Sequence, residues 1–158
     1  MFVFVRAVVY ASFFIGFLLI YVPVRLLAWS GFVRPESIQA QQIVGMIIGA
    51  IGGLIALWCI LVFITIGRGT PAPFDPPRRL VNHGPYRFVR NPMYIGATLA
   101  LGSATLFYES LSLLGYMVVF FLVIHFFVVL YEEPTLRRTF GQEYESYCRQ
   151  VKRWWPHV

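Results

Sequence analysis

Long apolar stretches separated by short polar segments dominate the hydrophobic pattern of the chain. Four stretches are long enough to cross the hydrocarbon core of a membrane, which takes roughly 17–25 residues of helix. They run from Ala7 to Val24, Ile43 to Ile66, Pro92 to Tyr108 and Leu111 to Tyr131. Only Glu109 and Ser110 separate the last two, which predicts a tight antiparallel hairpin. The pattern predicts an all-α, polytopic membrane protein with about four transmembrane helices, although the first stretch, preceded by Arg6, could also be a signal peptide.

The polar carboxyl-terminal segment predicts a helix of a different kind. Apolar and aromatic side chains recur there on one helical face, with charged and amide side chains on the others. They are Leu136, Phe140, Tyr144, Tyr147 and Val151. This pattern is typical of an amphipathic helix lying on a membrane surface, with Trp154 and Trp155 as anchors at the headgroup level. We expect this helix to cover a pocket at the cytosolic end of the spans.

Composition supports a membrane protein and disfavours most soluble classes. Apolar residues make up 58% of the 158 residues, against about 45–50% in soluble domains. Charged residues make up 13%, about half of the usual ~25%. A soluble enzyme, a disordered tail and a nucleic-acid-binding module are therefore poor interpretations, and the expected partners are membrane lipids and not nucleic acid.

The distribution of basic side chains predicts the orientation in the membrane. With four crossings, the amino terminus, the segment between the second and third spans, and the tail lie on one side. These three segments carry eleven of the thirteen Arg and Lys residues, whereas Arg25 and Arg34 lie on the other side. By the positive-inside rule both termini are cytoplasmic. For a bacterial source this is the inner (cytoplasmic) membrane, and an endoplasmic-reticulum membrane satisfies the same rule.

Small residues mark one face of the second and third spans. They are Gly45, Gly49 and Gly53 in the second span and Gly96, Ala100 and Ala104 in the third. Small side chains let two helices approach closely in lipid. We expect these faces to pack together within the chain, and the alternative is a homodimer seam.

Two polar segments contain the candidate chemistry. The loop from Gly67 to Asn91 is long for so small a protein, and long ordered loops are often functional. Glu132 and Glu133 directly follow the fourth apolar stretch, and the hairpin would bring them opposite Arg90 and Asn91. Opposed Arg and Glu side chains at the end of a helical bundle predict a polar pocket.

Three other residues are assigned no role in this pocket. Cys59 lies in an apolar stretch and Cys148 in the polar tail, so neither a disulfide nor a thiolate metal site is expected, and the predicted site contains no metal. His125 is the one ionisable residue well inside a span, and we expect a neutral imidazole hydrogen-bonded to a neighbouring helix.

The two polar segments also resemble a known family. The string GPYRFVRNPMYIG, from Gly84 to Gly96, and the string EEPTLRRTFGQEYESY, from Glu132 to Tyr147, resemble the membrane-embedded methyltransferases of the isoprenylcysteine carboxyl methyltransferase and phospholipid methyltransferase group. The resemblance covers the second half of the chain and implies a single domain over residues 1–158 with a catalytic half of about 67–158. Members use S-adenosylmethionine and methylate lipids or lipid-modified molecules, which implies a lipophilic substrate here.

The resemblance implies which residues form the site. The family's Arg-His-Pro corresponds to Arg90, Asn91 and Pro92, so an asparagine that cannot carry a proton replaces the histidine, and His83 is a candidate substitute. The implied catalytic residues are Arg90 and Glu133. The implied cofactor-binding residues are His83, Gly84, Tyr86, Arg90, Asn91, Pro92, Tyr94, Glu132 and Glu133.

These residue types suit methyl transfer from a sulfonium, which needs alignment and exclusion of water but no metal or covalent nucleophile. A glutamate could bind ribose hydroxyls or an amino group, Arg90 could hold a carboxylate, and the tyrosines could stack on adenine or face the sulfonium. The acceptor stays open between prenylated cysteine, an aminophospholipid, an isoprenoid and a small thiol. No glycine-rich turn between a strand and a helix is present to bind the cofactor as soluble Rossmann folds do.

Two alternatives belong to other functional classes. An NADPH-dependent membrane reductase similar to the steroid reductases could use Arg78, Arg79 and Arg87 for the 2′-phosphate. A bundle without catalytic activity could act as a scaffold or small transporter. Binding of one cofactor and not the other discriminates between these interpretations.

Overall fold

The computed structural model describes residues 12, 14–31, 37–67 and 79–156, and its regular elements within these ranges are all helical. The helices are α1 (Ile15–Trp29), α2 (Ala40–Gly67), α3 (Pro92–Tyr108), α4 (Leu111–Phe140) and α5 (Gln142–Gln150). A short 3₁₀ turn, Gly84–Arg87, precedes α3. The all-α prediction is therefore confirmed for the described part of the chain.

Two of the described helices, α2 and α4, are long and apolar enough to cross a membrane, judged by length and composition. Helix α1 is apolar but shorter, and the predicted start of the first span at Ala7 lies outside the described residues. Large apolar side chains cover the outer faces of both long helices, among them Leu54 and Leu57 on α2 and Val119 and Val123 on α4. Apolar surface of this extent is what lipid covers, so the protein is associated with a membrane.

The closest helix pair is α2 against α3, and glycines set the distance between them. A Cβ atom added to Gly52 would lie 2.7 Å from the backbone oxygen of Gly96. A Cβ atom added to Gly45 would lie 3.1 Å from the backbone oxygen of Ser103. The expected packing within the chain is therefore present. The prediction of Gly53 at this face is wrong: nothing lies within 4 Å of its added Cβ, because a face with 3.6 residues per turn continues to position 52.

The α3–α4 hairpin forms as predicted, with Glu109 in the left-handed conformation (φ 50°) between the two helices. The hydroxyl of Ser110 caps α4 by accepting a hydrogen bond from the amide of Leu113 at 3.4 Å. At the same end, Gln42 of α2 donates from Nε2 to Oε1 of Glu109 at 2.9 Å. These contacts fix three helix ends to one another at the turn of the hairpin.

Helix α4 continues well beyond Tyr131, where the last apolar span was expected to end. It passes through Glu132 and Glu133 to Phe140, and one turn, Val128–Glu132, widens to π-helical geometry. Pro134 lacks an amide hydrogen for the ordinary helical bond, and a wider turn directly before it accommodates that loss. The two glutamates therefore do not lie at a helix end, and their backbone carries the helix onward.

The carboxyl-terminal amphipathic helix was predicted as one piece on the membrane surface, and the structure differs in two ways. Gly141, with a φ of +51°, separates α5 from α4. The apolar face of α5 packs against the protein, where Tyr144, Tyr147 and Val151 form a buried cluster with Leu80. An apolar, aromatic helix face can be buried against the protein or in lipid. The sequence pattern is the same in both cases and therefore does not predict which surface covers this face.

Candidate functional site

The two polar segments meet at the end of the hairpin opposite its turn. Pro92 is the first residue of α3, a position where its missing amide hydrogen costs nothing. Helix formation from Pro92 onward leaves Arg90 and Asn91 directly before the helix, facing the glutamates of α4. The Nη1 atom of Arg90 lies 3.2 Å from Oε1 of Glu133. The predicted opposition of Arg90 and Glu133 is therefore present in the structure.

Glu133 is at the centre of a cluster of guanidinium groups. Its side chain is only 4% exposed, and Arg153 binds both of its oxygens, Nε to Oε1 at 2.7 Å and Nη2 to Oε2 at 2.9 Å. Arg137, one turn further along α4, lies 3.9 Å from Oε2. The hydrogen bond to Glu133 raises the pKa of the Arg153 guanidinium further. Three positive groups thus surround one buried carboxylate, which joins α4 to the start of α3 and to the tail.

Glu132 has a different partner from its neighbour. The phenol of Tyr94 on α3 donates a hydrogen bond to Oε2 of Glu132 at 3.0 Å. The ring of Tyr94 is buried in the main apolar cluster with Ala97 and Leu101. Its hydroxyl is thereby held at the edge of that cluster, beside the carboxylate. The two adjacent glutamates therefore bind different partners at this end of the hairpin: Glu132 accepts from Tyr94, and Glu133 pairs with arginine side chains.

Arg90 contributes more hydrogen-bond donors than the described residues satisfy. Besides its contact with Glu133, its Nη1 donates to the sulfur of the free Cys148 at 2.8 Å. Its Nε is buried and has no hydrogen-bond partner among the described residues. An unsatisfied buried donor costs about 1–3 kcal/mol. A ligand oxygen placed at this nitrogen would remove that cost.

The 3₁₀ turn before α3 supports the site from the side. Gly84 has a φ of +60°, and a Cβ added there would lie 3.0 Å from Cγ2 of Val62 on α2. Tyr86 is buried with its ring edge against Phe63, and burial raises the pKa of its phenol. Its carbonyl oxygen accepts a hydrogen bond from the hydroxyl of Tyr147 at 2.7 Å. In this structure Gly84 and Tyr86 pack the turn against α2 and α5, and their implied place in the cofactor pocket stays a prediction.

Two predicted residues flank the cluster in different ways. Asn91 is 7% exposed, and its Nδ2 donates to the backbone oxygen of Arg153 at 3.3 Å. His83 is exposed, and the described contacts do not connect it to Arg90 or Glu133. A role for His83 as a substitute for the family histidine stays a prediction, whereas Asn91 uses its amide to hold the tail.

The sequence interpretation missed Arg153, the strongest partner of Glu133. It counted this residue only among the basic residues of the tail. The spacing of residue types in the tail does not distinguish Arg153 from Arg149 and Lys152. Trp154 was expected at the headgroup level. In the structure its indole nitrogen donates to Nδ1 of His125 at 3.0 Å, inside the span.

Comparison with known proteins identifies the family of the chain. Apolar helices with a buried Arg–Glu cluster at one end define a membrane-associated protein with a polar site at the helix ends. The sequence model of the phospholipid methyltransferase family matches residues 40–143, which include α2, α3 and α4. The chain belongs to this family, and the resemblance found in the sequence is confirmed.

Individual proteins also match the chain over part of its length. Two rice proteins, from Oryza sativa subsp. indica and subsp. japonica, are each described as "Probable protein-S-isoprenylcysteine O-methyltransferase" and are 31% identical over 122 residues. The match covers 73% of this chain and 61% of each rice protein, so the chain spans about three fifths of these relatives. An uncharacterized protein of Haemophilus influenzae is 41% identical over 63 residues, 39% of this chain and 98% of that protein. No solved structure matches the chain.

Proposed function

We propose that this protein is an S-adenosylmethionine-dependent methyltransferase acting on a lipophilic acceptor at the cytoplasmic face of a membrane. Membership of the phospholipid methyltransferase family supports the reaction class. The names of the rice relatives support an acceptor similar to a prenylcysteine carboxylate, and the family name supports a lipid. The exposed apolar faces of α2 and α4 would let such an acceptor reach the site from the bilayer.

The observation that carries the proposal is the buried Nε of Arg90, which has no hydrogen-bond partner among the described residues. Arg90 contacts the buried Glu133 through Nη1, and its unpaired Nε suits a ligand with an anionic or carbonyl oxygen. Glu132, held by Tyr94, offers acceptor oxygens for a hydroxyl or amino group. S-Adenosylmethionine carries all three kinds of group, so these residues fit its binding.

Each residue then has a defined task. When bound, S-adenosylmethionine supplies a methyl group from a sulfonium centre. Arg90 would hold a carboxylate, and Glu132 would orient a hydroxyl or amino group with the help of Tyr94. Glu133, implied by the resemblance to be catalytic, has both oxygens occupied by Arg153. We assign it a positioning role, because it fixes the guanidinium of Arg90, and the burial of this cluster excludes water from the reacting groups.

The membrane arrangement completes the proposal. Helices α1 and α3 would supply two further crossings beside α2 and α4, with both termini on the cytoplasmic side. The site would then lie at the cytoplasmic end of α3 and α4, next to the basic residues of the tail. Cytosolic cofactor and lipid-borne acceptor would meet at that end.

Calorimetric titration of the detergent-purified protein with S-adenosylhomocysteine tests the proposal. We expect saturable binding that weakens about tenfold or more in Glu132→Gln, since loss of a charge-assisted bond costs about 1.5–3 kcal/mol. Glu145→Gln changes an exposed glutamate of α5 and is the matched control, with unchanged binding expected. NADPH is the control ligand. Binding of NADPH alone, or of neither ligand by folded protein, would refute the proposal.

A further inference from the structure

Residues 151–155 follow α5 without regular secondary structure, and we call this segment the strap. The family match ends at residue 143, so the strap lies beyond the matched region. The sequence predicts only a basic, aromatic tail at the membrane surface. In the structure the strap instead lies between the start of α3 and the side of α4.

The first anchor of the strap lies in the candidate site and consists of several contacts. The amide of Arg90 donates to the backbone oxygen of Lys152 at 2.9 Å. The side chain of Asn91 donates to the backbone oxygen of Arg153 at 3.3 Å. The guanidinium of Arg153 binds both oxygens of Glu133. Two consecutive strap residues thus close the space between the two helices.

The second anchor lies away from the site. The indole Nε1 of Trp154 donates to Nδ1 of His125 at 3.0 Å, and its ring packs 5.1 Å from the ring of Phe121. An indole N–H can only donate, so His125 must present a lone pair at Nδ1 and carry its proton on Nε2. His125 precedes Glu133 by eight residues, about 12 Å along the axis of α4. The strap is therefore held at two separate points on one helix.

We propose that the strap is a gate over the site and that His125 is its latch, a positioning residue remote from the reacting groups. This rests on the proposed function, because the gate admits the ligand of that site. Glu133 and Asn91 are almost fully buried and both bind the strap. Because the Nε of Arg90 is buried, a ligand reaches it only after neighbouring contacts open, and in this proposal those are the strap contacts of Asn91 and Glu133.

The two anchors respond differently to a ligand. An anionic ligand group bound at Arg90 competes with Glu133 for that guanidinium, and the same Glu133 holds Arg153 of the strap. No such competition acts on the bond between Trp154 and His125, which contains no site residue. Ligand entry therefore loosens the first anchor, and His125 sets how often the strap lifts and how readily it returns.

Two readouts on the intact protein test the gate. His125→Phe and Trp154→Phe each remove one hydrogen-bonding partner and keep an aromatic ring. Loss of one net hydrogen bond is expected to make strap opening about fivefold more frequent. The amide of Arg90, which is bonded to the strap, should then exchange with deuterium about fivefold faster. S-Adenosylhomocysteine should associate faster by a similar factor, with a smaller change in its dissociation constant.

Matched variants separate a latch from general damage. Trp155→Phe alters a neighbouring tryptophan that is 76% exposed, and it should leave both rates unchanged. His125→Asn retains an acceptor close to the position of Nδ1 and should restore slow exchange at Arg90. The double variant His125→Phe/Trp154→Phe should match either single variant, because both remove the same bond.

The outcomes are distinguishable. Unchanged exchange at Arg90 in both single variants would overturn the latch. Faster exchange with unchanged association of S-adenosylhomocysteine would overturn the gate. Failure of the wild-type protein to bind S-adenosylhomocysteine would refute the proposed function and the gate with it, while hydrogen exchange would still decide whether His125 holds the strap.

Discussion

Gly52 and Gly53 are adjacent in α2, and the structure predicts opposite effects of the same substitution. In Gly52→Ala the new methyl carbon would lie 2.7 Å from the backbone oxygen of Gly96 and 3.0 Å from Cβ of Leu99. Neither neighbour is the end of a flexible side chain, so the helices must separate. Overpacking of this kind costs about 1–3 kcal/mol. In Gly53→Ala the methyl group meets nothing within 4 Å.

Comparing the stabilities of Gly52→Ala and Gly53→Ala isolates the cost of the contact between α2 and α3. Both substitutions gain the same helix propensity, up to about 1 kcal/mol for alanine over glycine, and both change the unfolded chain equally. The difference between the two variants is therefore the cost of the contact alone, about 1–3 kcal/mol. We expect Gly53→Ala to be as stable as the wild type or more stable, and Gly52→Ala to be less stable than Gly53→Ala by this amount.

Unfolding in mixed micelles of mild detergent and dodecyl sulfate, followed by far-ultraviolet circular dichroism, measures both stabilities. Equal stabilities of the two variants would refute the packing of α2 on α3 described above. A larger loss in Gly53→Ala would refute it as well and would favour a helix interface at position 53, such as a homodimer seam. Size measurement of both variants in detergent distinguishes that case.

Three further substitutions test local contacts. Gly84→Ala places a side chain at a positive φ and close to α2, and it should lower stability by about 1–2 kcal/mol in thermal unfolding. Tyr147→Phe removes the hydrogen bond to the carbonyl of Tyr86 and should cost about 1–2 kcal/mol in the same assay; an unchanged melting temperature would contradict the contact. Arg153→Lys keeps the positive charge but cannot form both hydrogen bonds to Glu133, so the free energy of unfolding should fall by about 1 kcal/mol. A variant as stable as the wild type would show that this pair of hydrogen bonds does not stabilise the protein.

The meeting of Arg90 with Glu133 could be predicted because simple geometry determines it. Two residues connect α3 and α4, so positions at equal distances from the turn lie side by side in an antiparallel pair. Arg90 is nineteen residues before Glu109, and nineteen residues after Ser110 is Val129, about one helical turn before Glu133. The apolar stretches and the position of Pro92 were enough for that part of the site.

The tail could not be predicted in the same way. Arg149, Lys152 and Arg153 are equivalent in a helical pattern, and only the end of α5 before the strap selects Arg153 as the partner of Glu133. Trp154 has the composition of a headgroup anchor, yet its N–H finds an acceptor in His125. Such choices depend on contacts between distant residues, which the spacing of residue types along the chain does not contain.

The continuity of α4 couples the site to the thickness of the bilayer. The helix contains 30 residues, which corresponds to about 45 Å of length, whereas the hydrocarbon core is about 30 Å thick. Glu132 and Glu133 lie on the same continuous helix as the lipid-facing residues. When α4 tilts to match its apolar length to the thickness of the bilayer, the site therefore also moves relative to the headgroups. The rate of the proposed methyl transfer should therefore depend on acyl-chain length in reconstituted phosphatidylcholine vesicles. Equal rates in short-chain and long-chain lipids would show that the site adjusts independently of the helix.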